Sequence, residues 1–172
     1  MREAYTGRLV PLLMQMLQTM APDVANALHL KYARGWSQQL SLQEALEKHF
    51  PHDAATGYTH VGPHRASIQM LYDGYPAHQV LSKGQQKCVV CALRLAQSIL
   101  FDQDHEDTPC LFLIDDLAAE LDSQNQKRFA SVLLGLKNQV FATCIDPEHL
   151  KAFTEQQSDF QMFHVEQGLL SA

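Results

Sequence analysis

Cys110-Leu111-Phe112-Leu113-Ile114-Asp115-Asp116-Leu117-Ala118-Ala119-Glu120-Leu121-Asp122 decides how this chain is read, because an apolar run ends abruptly in two adjacent carboxylates. Preceded by Thr108-Pro109 and lacking polar alternation, the run reads as an inner strand of a parallel sheet. Ligands of such sheets sit beyond the C-terminal ends of the strands. Successive strand side chains point to opposite sides, so Asp115 and Asp116 are expected to do different work. One would hold a magnesium ion, usually through water, while the other orients the water that attacks a phosphate. A simpler reading of the same residues is a strand whose polar end turns into a helix cap.

Thirty residues upstream, Leu81-Ser82-Lys83-Gly84-Gln85-Gln86-Lys87 opens a long apolar helix. Ser82 followed three residues later by Gln85 is a capping box. The same geometry makes an anion site: free backbone N–H groups at the helix start, Gly84 for close approach and the Ser82 hydroxyl. Lys83, Lys87 and Arg94 fall on one helical face and add positive charge.

Together these stretches carry a resemblance. Leu81 to Gln85 resembles the LSGGQ-type signature of ABC ATPases, Ile114-Asp115-Asp116 resembles their Walker B motif, and Ala119-Glu120-Leu121-Asp122 resembles their D-loop. Gly57-Tyr-Thr-His-Val-Gly-Pro-His-Arg65, Cys91-Ala-Leu-Arg-Leu-Ala-Gln97 and Met162-Phe-His-Val-Glu-Gln-Gly168 look like the corresponding stretches of the RecF family, bacterial DNA replication and repair ATPases. The likeness runs from about Arg34 to Gly168.

What the resemblance implies is an α/β fold, the C-terminal part of an ABC-type (P-loop NTPase) ATPase head with the end of a helical arm. Residues 1–56 would be the arm end and residues 57–172 the head. It implies Asp115 as the metal ligand, Asp116 as the catalytic carboxylate, and Ser82, Lys83, Gly84, Gln85 and Asp122 as ATP-binding residues. The site would be composite, with Ser82 and Gly84 reaching the γ-phosphate held by an opposite head. ATP and Mg2+ would be the cofactors, bound only with the N-terminal half that carries a P-loop. The implied work is DNA replication and recombinational repair within the SOS response. The implied partners are single-stranded or gapped DNA, RecR and RecO, and a second head in an ATP-dependent homodimer. Two other readings are a non-catalytic module that docks a partner half, RecR or DNA, and another SMC-like repair head.

Composition is compatible with these expectations. At 172 residues and 46% hydrophobic, the chain can bury one core or a small core plus an appendage. It has no run of eighteen apolar residues, so no membrane partner is expected. Met-Arg-Glu-Ala-Tyr lacks the apolar segment of a secretory signal, so a cytoplasmic home is expected, with four reduced Cys. A net charge of −6 with only 13 Lys and Arg argues against a broadly basic nucleic-acid binder, so any DNA contact must be local.

In chain order, Leu9, Leu13, Met16, Leu17 and Met20 recur at helical spacing, with Pro11 expected to start or kink the helix and Pro22 to end it. Leu28, Leu30 and Tyr32 read as a half-buried strand. Ser41 and Glu44 form a capping box before a helix that Pro51 should stop. Ile68, Met70 and Tyr72 alternate before an Asp73-Gly74 hairpin turn. Gly62-Pro63-His64-Arg65 is either an ordinary turn or a phosphate contact. The helix from Lys83 to about Phe101 is apolar nearly all round and should be buried between layers. Cys88 and Cys91 have CxxC spacing without a second pair, which reads as small apolar packing. Phe129, Val132, Leu133 and Leu136 mark a helix opened by Asp122 or Ser123. Val140 to Thr143 and Met162 to Val165 mark further strands, the last turned at Gly168. Many ABC ATPases carry a switch His after the strand that follows Walker B. Ala142-Thr143-Cys144-Ile145 offers none, leaving Thr143 as the candidate there, while His149 falls in a helix opened by Asp146-Pro147.

No G-x-x-x-x-G-K-[ST] occurs, and none of the eight glycines precedes a Lys. The 172 residues hold no P-loop of their own to cradle a triphosphate.

Overall fold

The structure, a computed structural model, describes residues 2–105, 107–116, 121–136, 138–156 and 159–171. Helix α1 (Arg2–Met20) is the centre of the core, burying Leu9, Leu13, Met16, Leu17 and Met20 along one stripe. Pro11 does not start that helix. It sits inside, on the exposed face, so the Gly7 carbonyl that loses its partner is open to water. Burial of the opposite stripe, about 1.5–3 kcal/mol per large side chain, outweighs the roughly 3 kcal/mol cost of an internal proline. Pro22 then opens the short α2 (Pro22–Ala27) as its first residue.

β1 (Leu28–Ala33) pairs antiparallel with β2 (Ser67–Tyr72), Leu28 opposite Tyr72 and Ala33 opposite Ser67. β2 turns at Asp73-Gly74 into β3 (Tyr75–Pro76), both turn residues having positive φ, 48° and 83°, as a type I′ hairpin requires. Between β1 and β2 stands α3 (Leu42–Thr56), whose Ser41 and Glu44 form the expected capping box and whose left-handed Gly57 closes it. Pro51 does not stop α3, because it and Glu47, the residue one turn earlier, both face solvent. α3 buries only Ala45 and leaves Phe50 exposed.

β1 and α1 therefore pack across the expected boundary at residue 56, β1 against β2 and α1 against α5 (Lys83–Asp104). Before α5 come a 3-10 turn, Pro63–Arg65, and the short α4 (Ala77–Val80). α5 is apolar nearly all round but not buried all round. Cys88, Val89, Ala92, Leu95, Ala96 and Leu100 face the core, while Val90 and Phe101 stay exposed. None of the four cysteines is in a disulfide, and Cys88 is buried. Arg8 clasps Asp104 with two hydrogen bonds of 3.1 and 2.7 Å and ties the exposed edges of α1 and α5.

β4 (Leu111–Ile114) and β5 (Gln139–Ala142) form a parallel pair joined through α6 (Ser123–Gly135), with Leu111 opposite Gln139 and Ile114 opposite Ala142. α6 buries Phe129, Ala130 and Leu133, and Phe129 and Leu133 join the same core. β4 is not the doubly buried inner strand that its composition predicts. Phe112 and Ile114 pack on the core, but Leu111 and Leu113 are 51% and 75% exposed. Past β5 run a 3-10 turn, Pro147–Leu150, capped by Asp146, and α7 (Lys151–Thr154). The expected strand from Met162 is shorter and paired: β6 (His164–Glu166) hairpins onto β7 (Leu169–Ser171) through Gln167-Gly168. Among the described residues, no helix is long and apolar enough to cross a membrane.

Candidate functional site: the ends of β4 and β5

Parallel pairing brings the C-terminal ends of β4 and β5 side by side, and the polar residues gather there. The Thr143 N–H donates to the Ile114 carbonyl at 2.9 Å, carrying the ladder one residue past β5. The Thr143 hydroxyl then donates to Asp115 Oδ1 at 2.7 Å and accepts from the Asp116 N–H at 3.0 Å. One hydroxyl is used in both senses and fixes both residues. Asp116 has φ 45°, a left-handed backbone that Asp tolerates better than most residues. The two carboxylates are therefore separated by a turn beyond the strand rather than by strand alternation.

Asp115 is exposed and Asp116 half-buried. Two adjacent carboxylates and a hydroxyl are hard oxygen donors on an open strand end. That suits Mg2+, which keeps several waters and takes one or two carboxylates plus substrate phosphates. Among the described residues there is no group of three His, Cys, Asp or Glu that would cage a metal entirely with protein. The donor set thus fits a magnesium ion shared with a phosphate and does not fit a closed structural site.

At the start of α5, Ser82 Oγ accepts from the Gln85 N–H at 3.2 Å, and the Ser82 N–H donates to Gln85 Oε1 at 2.9 Å. Among the described residues, none accepts the Ser82 hydroxyl hydrogen. Ser82, Lys83 and Gly84 are exposed and Gln85 half-buried. Arg94, two and a half turns further along, donates to Gln97 at 3.3 Å and lines a groove of about 720 Å3 that also includes Asp115.

Asp122 caps α6. Its Oδ1 accepts from the N–H groups of Gln124 and Asn125, both at 3.0 Å, and its Oδ2 from the Asn125 side-chain amide at 2.6 Å. The Asn125 N–H contributes most to holding this carboxylate below its ordinary range. Asp122 thus already has a complete set of donors within its own helix start. The rest of the D-loop stretch, Leu117 to Glu120, lies outside the described residues.

Sequence reasoning pointed to Thr143 only as a stand-in for a missing His. Its tie to Asp115 and Asp116 has no local signal, since 28 and 27 residues separate it from them. Gly62-Pro63-His64-Arg65 forms a 3-10 turn with the His64 ring 2.9 Å from the Thr59 carbonyl and Arg2 donating to the Pro63 carbonyl at 2.6 Å. Cys88 is inert packing, its thiol pKa raised by burial.

The family model described as RecF/RecN/SMC N terminal domain matches residues 13–171. The chain belongs to the RecF/RecN/SMC family. The DNA replication and repair protein RecF of Pseudomonas fluorescens is 38% identical over 170 residues, covering 99% of this chain and 46% of the relative. The RecF of Pseudomonas putida is 41% identical over 146 residues, covering 85% of this chain and 40% of its own. Among solved structures, the recombination mediator protein RecF with ATP, of the RecFOR pathway, matches with TM-score 0.69 at 21% identity. That match covers 99% of this chain and 44% of the solved one, and it shows that the chain shares the fold of the matched part of that RecF. The chain thus spans a little under half the length of these RecF proteins. The matched family is described by an N-terminal domain, and that description does not support placement in the C-terminal half.

Proposed function

We propose that this chain is the signature- and Walker B-bearing part of a RecF-like ATPase head acting in DNA replication and recombinational repair. The observation that carries the reading is the Thr143 clasp on Asp115 and Asp116 at the ends of two parallel strands, in a chain of this family. The order of signature, Walker B and D-loop, with no P-loop, supports assigning it to the C-terminal half of the whole protein.

In this reading Asp115 holds Mg2+, which supplies neutralisation of phosphate charge when bound. Asp116, turned by its left-handed backbone, orients the attacking water. Thr143 keeps Asp115 in one rotamer and ties down the Asp116 amide. The hydroxyl hydrogen of Ser82 and the N–H groups opening α5, with Gly84 allowing close approach, receive the γ-phosphate presented by a second head. Lys83 and Gln85 flank that phosphate, and Asp122 holds the D-loop end in register. The whole protein would bind single-stranded or gapped DNA, dimerise with ATP, and work with RecR and RecO in the cytoplasm.

A second reading, a non-catalytic module that docks a partner half, is favoured by the exposed face of β4. Calorimetry separates the activities. The 172 residues alone should neither bind Mg-ATP tightly nor hydrolyse it, whereas co-expression with the unmatched part of the Pseudomonas fluorescens RecF should restore binding that depends on Asp115. Low-micromolar Mg-ATP binding by the chain alone would overturn the reading.

A further inference from the structure

We infer that Gln86 is a positioning residue: its side-chain amide holds the peptide joining Leu81 to Ser82, and so sets the place from which the Ser82 hydroxyl meets a phosphate. Gln86 lies just outside the signature-like stretch Leu81 to Gln85, and its role here rests on the head reading.

The starts of α5 and α6 share one six-residue pattern. Leu81-Ser82-Lys83-Gly84-Gln85-Gln86 and Leu121-Asp122-Ser123-Gln124-Asn125-Gln126 each run leucine, capping residue, two further residues, a side-chain amide and then glutamine. Both leucines are buried. In both stretches the last glutamine reaches back five residues to the leucine carbonyl. Gln86 Nε2 donates to the Leu81 carbonyl at 2.8 Å, and Gln126 Nε2 donates to the Leu121 carbonyl at 2.8 Å. Gln86 Nε2 also donates to the His78 carbonyl of α4 at 3.2 Å.

Capping of α5 and α6 does not account for these bonds. The orphan groups at a helix start are N–H donors, and the Ser82 hydroxyl and the Asp122 carboxylate already accept from them. The carbonyl ahead of the cap lies outside the ladder of the helix that follows. A glutamine spent on it fixes the chain entering the helix instead.

At α5 the bonds converge on a single peptide plane. Gln86 holds its oxygen, which is the Leu81 carbonyl, while Gln85 Oε1 holds its hydrogen, the Ser82 N–H, at 2.9 Å. A planar peptide held at both ends, with a helix behind it, sets the direction of the Ser82 Cα–Cβ bond. Only rotation about that bond is left, and the Gln85 N–H, 3.2 Å from Ser82 Oγ, fixes it. The hydroxyl is thus aimed before a phosphate arrives, which spares the cost of ordering it on contact.

Two substitutions separate the donor from the bulk. Gln86→Met keeps the length of the side chain and removes its N–H groups. Gln86→Arg returns an N–H at the same number of bonds from Cα. Gln124→Met, at an exposed position in the first turn of α6, is the control. In the 172-residue chain, with circular dichroism showing each variant folded, NMR relaxation should find the Ser82 amide less ordered in Gln86→Met alone. In the head assembled by co-expression with the unmatched part of the Pseudomonas fluorescens RecF, sedimentation with a non-hydrolysable ATP analogue should show dimerisation weakened about tenfold by Gln86→Met. Mg-ATP affinity of the single head should not change, and Gln86→Arg should recover most of the dimerisation. Wild-type order at Ser82 in Gln86→Met, or wild-type dimerisation, would overturn the inference. So would a Gln86→Arg variant as defective as Gln86→Met, or Mg-ATP affinity falling in step with dimerisation, since Gln86 would then be a general tie between α4 and α5. Failure of the head reading looks different: the wild-type assembled head would not dimerise with the analogue, while order at Ser82 in the chain still depended on Gln86.

Discussion

Thr143 Oγ1 donates to Asp115 Oδ1 at 2.7 Å across the ends of two parallel strands, and the same oxygen accepts the Asp116 N–H at 3.0 Å. Losing the hydroxyl frees both residues at once. In the assembled head, Thr143→Val should weaken magnesium-dependent nucleotide binding about tenfold, while the thermal stability of the chain changes by only about 1 kcal/mol. Thr143→Ser should restore binding. Calorimetry on the two variants checks it, and a defect in Thr143→Ser with none in Thr143→Val would mean that the methyl group, not the hydroxyl, matters.

The carboxylates should separate by role. Asp115→Ala should weaken Mg-ATP binding because a metal ligand is lost. Asp116→Asn should preserve binding and slow hydrolysis by roughly a hundredfold, a size ordinary for loss of a general base. Equal loss of nucleotide affinity in both variants would contradict this division.

Ser82→Arg places bulk where a second head would present its γ-phosphate. Loss of the capping box costs roughly 1 kcal/mol, too little to unfold a domain of ordinary stability. Nucleotide binding by the single assembled head should therefore survive, and ATP-dependent dimerisation should not. Sedimentation with a non-hydrolysable ATP analogue decides it. Dimers at wild-type strength in the variant would reduce Ser82 to a helix cap.

Gly35 has φ 94°, and a Cβ built there would stand 2.2 Å from the Gly62 carbonyl oxygen, a backbone atom that cannot swing aside. The Gly62 N–H also donates to the Gly35 carbonyl at 3.1 Å, so the two glycines join the end of β1 to the Gly62-Pro63-His64-Arg65 turn. Gly35→Ala should cost about 3 kcal/mol, read as a lower urea midpoint. Gly57→Ala is the comparison. It also has positive φ but open space around it, so its cost should be about 1 kcal/mol.

Asp122 gives a pH dependence. Its carboxylate is held below the ordinary range, most strongly by the Asn125 N–H, so the folded state favours the ionised form. Its contribution is then full above the unfolded pKa of about 4 and is lost as pH falls through the lower folded value. Asp122→Ala should destabilise the chain by about 1 kcal/mol at pH 7. Denaturant midpoints taken from pH 7 down to pH 2.5 should converge for wild type and variant below pH 4. A constant difference down to pH 2.5 would show that the cap acts without its charge.

Local patterns determined much of this protein. The capping boxes at Ser41 and Ser82, the Asp73-Gly74 turn, the Asp122 cap and the inner stripe of α1 follow from contacts within a few residues, where sequence spacing is also spatial spacing. The prolines misled because their cost depends on which face they occupy. Pro11 and Pro51 lie on solvent faces, and that is known only once α1 and α3 are packed. Composition made β4 look buried on both sides and α5 buried all round, yet the tertiary structure leaves Leu111, Leu113, Val90 and Phe101 bare. Sequence fixes how much apolar surface an element carries, whereas which part of it finds a partner depends on the layers around it. The site divides in the same way. Asp115 and Asp116 were legible as neighbours at the end of an apolar run. Thr143, 28 residues from Asp115, becomes their partner only because parallel pairing of β4 with β5 sets Ile114 beside Ala142 and brings the next residue of each strand within hydrogen-bond reach.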